Sequence, residues 1–492
     1  MIIDVNTSFG NIPYRSVDFS IEVLTKKMKD HGISAAFTYS LKGLYHRSEE
    51  GNKETLKNTS TFSFLSPVAT LDMREYLGWR KMSSEMEKFK MVRFFPELQN
   101  WKISSQPFIE TCKRLSKKKI PIMISAKDFG VATEIAELTS KKKLNVILTD
   151  INYSQLSETV FVMKKYPHIY VETSTFASPG VVEDITSEVG FSRILFGSGI
   201  PQRPAQPVLN VIFNAEISEN ERDMIFYKNA TKLFSLKRVE AISNSKPKSI
   251  YRGPAIDVHA HLGPWPFPIK DSGIDKILDI MEKNNIEKAI LSSYEGICYD
   301  VSKGNRDLYN AIKDQPSLYG YVVLDPTNVE LTQNEIRKYF GDKKIIGTKV
   351  HCEYSKKATA SEEMRSLFQL IAKYRKPVLI HNFGNWMPAL REIALKYPEL
   401  PIIIAHAAWR GGGIEKYFED TQNVYLEFSN AHPESEIVNN ICSKIDIKRI
   451  LFGSDMDLNN PAFVLGIYQD ANLNEREMKA VMYENAKRLF GI

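Results

Sequence analysis

Short apolar runs alternate with amphipathic stretches along the chain, most clearly over residues 254–492. There the runs fall at 256–261, 288–293, 318–324, 345–351, 377–381, 401–406, 423–428 and 449–454. Between them lie segments such as Ile274-Asp-Lys-Ile-Leu-Asp-Ile-Met281, whose apolar residues recur at the spacing of one helix face. Near-continuous apolar runs suit strands buried on both faces, as in a parallel sheet. Strands that alternate with helices read as βα units, and eight units in about 240 residues favour a closed barrel over an open doubly wound sheet.

The pattern occurs twice. Pro121-Ile-Met-Ile-Ser125 matches Pro377-Val-Leu-Ile-His381, and 377 − 121 = 256. Arg193-Ile-Leu-Phe-Gly-Ser-Gly199 matches Arg449-Ile-Leu-Phe-Gly-Ser-Asp455 at the same 256, as does Asn229-Ala-Thr-Lys-Leu-Phe234 with Asn485-Ala-Lys-Arg-Leu-Phe490. Ile3-Asp-Val-Asn6 matches Ile256-Asp-Val-His259 at 253, and Gly51-Asn52 keeps that spacing to Gly304-Asn305. One three-residue difference reconciles the two offsets. The fold expected is therefore α/β, two tandem (β/α)8 TIM-type barrels over 1–236 and 254–492. The polar stretch 237–253, with Pro247 and Gly253, reads as a linker.

Composition narrows the class. A hydrophobic fraction of 43% supports large cores, and no run of about 18 apolar residues suggests a membrane span. The opening Met1-Ile-Ile-Asp-Val5 lacks a basic stretch before an apolar one, so no export signal is expected. The four cysteines, Cys112, Cys298, Cys352 and Cys442, show no CxxC spacing and read as reduced thiols of a cytoplasmic protein. A net charge of +6 is modest for 492 residues, and runs such as Lys117-Lys-Lys119 read as solvated helix ends, so no nucleic-acid partner is expected.

Barrel enzymes carry their chemistry at the C-terminal ends of the strands. The second copy puts its polar residues there. Its first strand ends Asp257-Val-His259-Ala-His261, and strand alternation turns both imidazoles to one face. The fourth carries Lys349 and His351, the fifth ends at His381, the sixth at His406 and the eighth at Asp455. A lone strand-end histidine is usually only polar surface. Four of the chain's nine histidines at such positions, with Asp455, instead supply the N/O donor set of a borderline divalent metal.

With these residues in place, the second copy resembles the amidohydrolase superfamily, in the amidohydrolase-related branch that includes aminocarboxymuconate semialdehyde decarboxylase. The resemblance rests on the Asp257-x-His259-x-His261 opening, the late Phe452-Gly-Ser-Asp455 and the two histidines between them. It implies that His259, His261, His381 and Asp455 bind metal, most often zinc, sometimes manganese. It implies too that His406 binds a second ion or holds the activated water and substrate, and metal chemistry makes Asp455 and His406 the catalytic pair, the first as proton acceptor and the second as stabiliser of substrate charge. Lys349 reads as a substrate-binding cation, a solvated lysine or a carbamylated bridge between two ions. Trp265, with Pro266, Phe267 and Pro268, is a candidate pocket wall, and Arg410 of Trp409-Arg-Gly-Gly-Gly413 a candidate carboxylate ligand. Cys352 beside His351 reads as a spectator.

The first copy keeps the apolar runs and loses this set. His259 corresponds to Asn6, His261 to Ser8, Lys349 to Arg93, His381 to Ser125, His406 to Asp150 and Asp455 to Gly199. It reads as a degenerate, non-catalytic barrel that either takes a partner subunit's place in an intrachain pseudo-dimer, with further oligomerisation open, or binds a different ligand with Arg93 and Asp150 in its mouth. The function expected is hydrolysis of an amide or lactone bond of a small molecule by metal-activated water. The alternatives are non-oxidative decarboxylation or hydration in the same family, or a non-catalytic binding protein. The full donor set in one copy opposes the last.

Overall fold

The computed structural model divides into two compact units, Met1–Ser249 and Ile250–Ile492. It describes residues 1–75, 85–237, 239, 241–242, 250–269, 273–382, 386–408 and 413–492. Much of the expected linker, 238, 240 and 243–249, lies outside the described residues.

The first unit is built on eight strands: β1 Ile3–Phe9, β2 Ala35–Ser40, β3 Leu65–Thr70, β4 Met91–Phe94, β5 Ile122–Ser125, β6 Val146–Thr149, β7 Ile169–Glu172 and β8 Ile194–Leu195. They lie side by side in sequence order, every pair parallel. Val5 N donates to Phe196 O at 2.9 Å, which joins β1 to the chain just after β8. The second unit repeats the order with β9 Ala255–Leu262, β10 Ile286–Ser293, β11 Leu318–Val323, β12 Ile345–His351, β13 Val378–His381, β14 Ile402–Ile404 and β15 Val424–Leu426. An eighth strand was expected at 449–454. The structure has only isolated bridges there, Leu426 to Ile450 and Ala260 to Met456. The segment still fills the eighth place, because Leu451 N donates to Leu426 O (2.9 Å) and Val258 N to Phe452 O (3.0 Å). Both units are TIM-like barrels.

Apolar side chains of the second unit form two layers. Ile256, Val258, Ile290, Leu379, Ile403 and Leu451 fill the barrel interior. Ala289, Leu291, Val378, Ile380, Ile402 and Ile404, on the opposite faces of their strands, meet helix residues such as Leu367, Phe368 and Leu390. The near-continuous apolar runs serve both layers at once.

The residues that betray the repeat are largely scaffold. Asn52 donates to Thr70 O (2.9 Å) and accepts from Thr70 N (2.8 Å); Asn305 does the same with Val323, at 3.0 and 2.8 Å. The preceding glycines allow close backbone approach: a Cβ on Gly51 would sit 2.1 Å from Gly43 N, and one on Gly304 2.2 Å from Gly296 N. Arg193 and Arg449 donate to carbonyls of the segments leading into β7 and β15 respectively, and Asn229 and Asn485 each bridge two more.

Candidate metal centre

Pairing of β9 with β10 slips between Asp257 and Ala260. The irregularity follows Val258, which faces the barrel interior, and both His259 and His261 then turn into the mouth. Bulges of this kind re-aim side chains beside functional sites. Asp257 faces the other way. Its Oδ1 accepts from His259 N and Ser454 N, each at 3.0 Å, and Ser454 Oγ donates to Oδ2. Asp257 is thus a staple between the first strand and the eighth position. Burial pushes its pKa up to about 7.

Three donors converge in the mouth. His259 Nε2 and His261 Nε2 are 3.1 Å apart, and Asp455 Oδ1 lies 3.6 Å from the first and 3.0 Å from the second. All three residues are buried. The Nδ1 sides of both rings are already engaged, His259 with Glu427 Oε1 and His261 with Ser292 Oγ, both at 2.9 Å. Burial drives His259 well below the ordinary histidine pKa and His261 down to about 4, leaving neutral imidazoles. Burial pushes Asp455 up, but the hydrogen bond with His261 and the nearby His406, His261 and Lys349 side chains outweigh it, so its pKa is lowered and the carboxylate is ionised. Neutral imidazole nitrogens and a carboxylate, held this close, fit a divalent ion with N/O preference. Among the described residues, groups of three such donors occur only in this unit: this triad, and His259, His406 and Glu427.

Lys349 enters from β12, 1% exposed, with Nζ 2.9 Å from His259 Nε2. Burial lowers its pKa to about 8. His406 and Asp455 occupy left-handed backbone at φ 55° and 61°, an uncommon and costly conformation for residues other than glycine. The equivalent residues of the first unit, Asp150 and Gly199, share it at 63° and 80°. His406 Nδ1 lies 2.8 Å from Ser429 O, and its ring is 5.1 Å from that of His259.

His381 lies beside the triad, outside both compact donor groups. It stacks on His351 (4.1 Å, 12°), places Nε2 3.4 Å from Glu353 Oε2, and keeps its ring 5.0 Å from His406. Trp265 joins an aromatic wall with Tyr294 at 4.1 Å, which itself stacks on His261 at 4.4 Å. The buried indole Nε1 of Trp265 has no hydrogen-bond partner among the described residues. Cys352 is buried. Arg410 lies outside the described residues.

Sequence reasoning passed over Glu427 and Ser429. Glu427 accepts from His406 N (2.7 Å) and Ser429 N (2.6 Å) as well as meeting His259. The signal was available as a second Glu-x-Ser, Glu172-Thr-Ser174, at the end of β7.

Fold and donor set define a barrel enzyme with a metal-competent mouth. The amidohydrolase family model matches residues 81–236 and 256–492, so both copies carry the signature, and the chain belongs to that amidohydrolase family of divalent-metal enzymes. No curated protein matches the chain. Among solved structures it is similar to a dihydroxybenzoic acid decarboxylase from Polaromonas sp. JS666 with bound manganese and 2-nitroresorcinol (17% identity, 49% of this chain and 97% of that one, TM-score 0.39). It is similar also to a probable 2-pyrone-4,6-dicarboxylic acid hydrolase from Acinetobacter baumannii with citric acid bound (16%, 49% and 100%, 0.39). A third is amidohydrolase 2 from Bifidobacterium longum subsp. infantis (17%, 49% and 99%, 0.39). Family membership rests on the family model. No described helix is long and apolar enough to cross a membrane.

Proposed function

We propose that the second barrel is a metal-dependent hydrolase of a small amide or lactone, and that the first barrel performs no chemistry. The observation that carries the reading is the convergence of His259 Nε2, His261 Nε2 and Asp455 Oδ1 within 3.6 Å of one another. These residues would hold the ion, with His381 reaching it after a turn away from Glu353, and zinc or manganese suits the set. The ion would supply a Lewis acid and lower the pKa of a bound water toward about 7. Asp455, ionised beside His261, takes the proton from the attacking water and returns it to the leaving group. His406, beside His259, faces the charge that develops on the substrate. Trp265 and Tyr294 wall the pocket for an apolar or aromatic body.

A second reading, decarboxylation, is favoured by Lys349. A buried ammonium at the metal mouth matches an anionic substrate group, such as a carboxylate about to leave. Metal analysis on wild type and His259→Ala/His261→Ala tests the shared part. About one equivalent, lost in the variant, is expected; about two would make Lys349 a carbamylated bridge, and none would return the protein to a binding role. Turnover of lactones and amides against loss of CO2 from aryl carboxylates then separates the two reactions.

A further inference from the structure

The mouth of the first barrel is not a vacant version of the second. Arg93 stands where the second barrel has Lys349, and Asn6, Ser8 and Gly199 replace the donor triad. A guanidinium donates and never ligates, so this mouth does not suit a cation. It encloses a cavity of about 210 Å³, lined by Ser8, Tyr39, Arg93, Phe95, Asp150 and Arg203 among others. That is below the ~300–1,000 Å³ typical of sites for drug-sized ligands.

Arg93 is 8% exposed. Its NH1 donates to the neutral Asn6 Oδ1 at 2.7 Å, and its buried Nε has no hydrogen-bond partner among the described residues. Among the described residues no carboxylate pairs with it directly. Glu172 lies behind Asn6, with its oxygens taken by Asn6, Thr149 and Ser174. A second cation, Arg203, reaches Asp150 only at 3.6 Å, and its buried NH1 has no hydrogen-bond partner among the described residues. Gln202 Nε2 donates to Ser8 Oγ at 2.8 Å and braces the rim. A buried cation is costly unless an anion answers it. The guanidinium of Arg93 also lies 5.0 Å from the Phe95 ring and 5.7 Å from that of Tyr39, two rings 5.5 Å apart, so it packs against one side of an aromatic pair.

We propose that the mouth of the first barrel binds a small organic carboxylate without transforming it. Arg93 and Arg203 hold the carboxylate, and Tyr39 and Phe95 pack its apolar body. The proposal is independent of the reaction assigned to the second barrel.

The test uses the full chain and benzoate as probe, by calorimetry, with benzamide and inorganic phosphate as controls. Because the second barrel can also take an aryl carboxylate, His259→Ala/His261→Ala is measured alongside. Benzoate should still bind that variant within about twofold of wild type and lose about tenfold or more in Arg93→Gln. Arg203→Gln, at a part-exposed position whose side chain makes no buried ion pair, should weaken it too, and this keeps the test valid if Arg93→Gln fails to fold. Benzamide should not compete. Three results would overturn the proposal: no benzoate binding at roughly 10 mM, binding that follows the histidines and ignores both arginines, or arginine-dependent binding of phosphate alone.

Discussion

His259 Nδ1 and Glu427 Oε1 lie 2.9 Å apart, both fully buried, and this contact decides which nitrogen of the ring faces the barrel mouth. Oε1 also accepts from His406 N, so the carboxylate is an acceptor and the imidazole must donate from Nδ1. Nε2 is then left as a lone pair toward His261 and Asp455. Carboxylates behind metal-binding histidines fix the tautomer and raise ligand basicity, and their loss typically lowers metal affinity about 10–100-fold. Glu427→Gln should do so here, read by metal retention against a competing chelator. Unchanged retention would mean that the ring is oriented by something other than Glu427.

Asp455 combines a left-handed backbone with two neutral imidazoles close to its carboxylate. Asn tolerates that backbone as well as Asp does, so Asp455→Asn should fold and keep part of its metal. It cannot relay a proton, and kcat should fall by about 10²–10⁴. Wild-type turnover in a metal-loaded variant would remove Asp455 from the proton path and leave it a ligand alone.

The barrels and much of the site are legible in sequence because their determinants are local or repeated. Strand runs such as Ile402–Ile404 are apolar on both faces, and the offsets that align Arg193 with Arg449 follow from hydrogen bonds each barrel needs. Asp257 is different. Its place in the Asp-x-His-x-His run reads as part of the chemistry, whereas its bonds to Ser454 show a closure staple that the first barrel repeats between Asp4 and Ser198. Glu427, just past the short strand Val424–Leu426, was passed over because its counterpart Glu172 stands at an offset of 427 − 172 = 255, off both repeat frames, and its worth depends on a ring 168 positions away. The eighth place also misled: 449–454 has strand composition, but its hydrogen bonds go to Leu426 and Val258 without a continuous ladder.

The staple in the first barrel gives a pH signature. Asp4 is fully buried, and desolvation raises its pKa to about 7 from 3.8, against the opposing hydrogen bonds from Ser198 and Asn6 N. Between these values the folded state holds a proton that the unfolded state has released. Stability therefore falls as pH rises through that window, and the loss is complete above about 7. Asp4→Asn keeps the acceptor for the two backbone N–H groups and has no proton to lose. The urea midpoint of the wild type should drop from pH 5 toward pH 8, by about the one-group slope more than that of the variant. Equal slopes would mean that Asp4 is ionised in the folded barrel throughout.

Gly304 lies inside the helix Val301–Ile312, where alanine normally stabilises by about 1 kcal/mol. Here the sign should reverse. A Cβ would meet Gly296 N at 2.2 Å and Cα at 2.5 Å, both backbone atoms that cannot rotate away. The helix would have to lift, and Asn305, next in sequence, would leave Val323 and expose the end of β11. Overpacking of this kind costs about 1–3 kcal/mol, and each lost hydrogen bond about 1 more. Gly304→Ala should therefore lower the Tm of the second unit, and Gly51→Ala that of the first, where the same Cβ would sit 2.1 Å from Gly43 N. A rise in Tm for either variant would show that the helix can shift at no cost, and that Gly-Asn persists in both barrels for some reason other than this approach of two backbones.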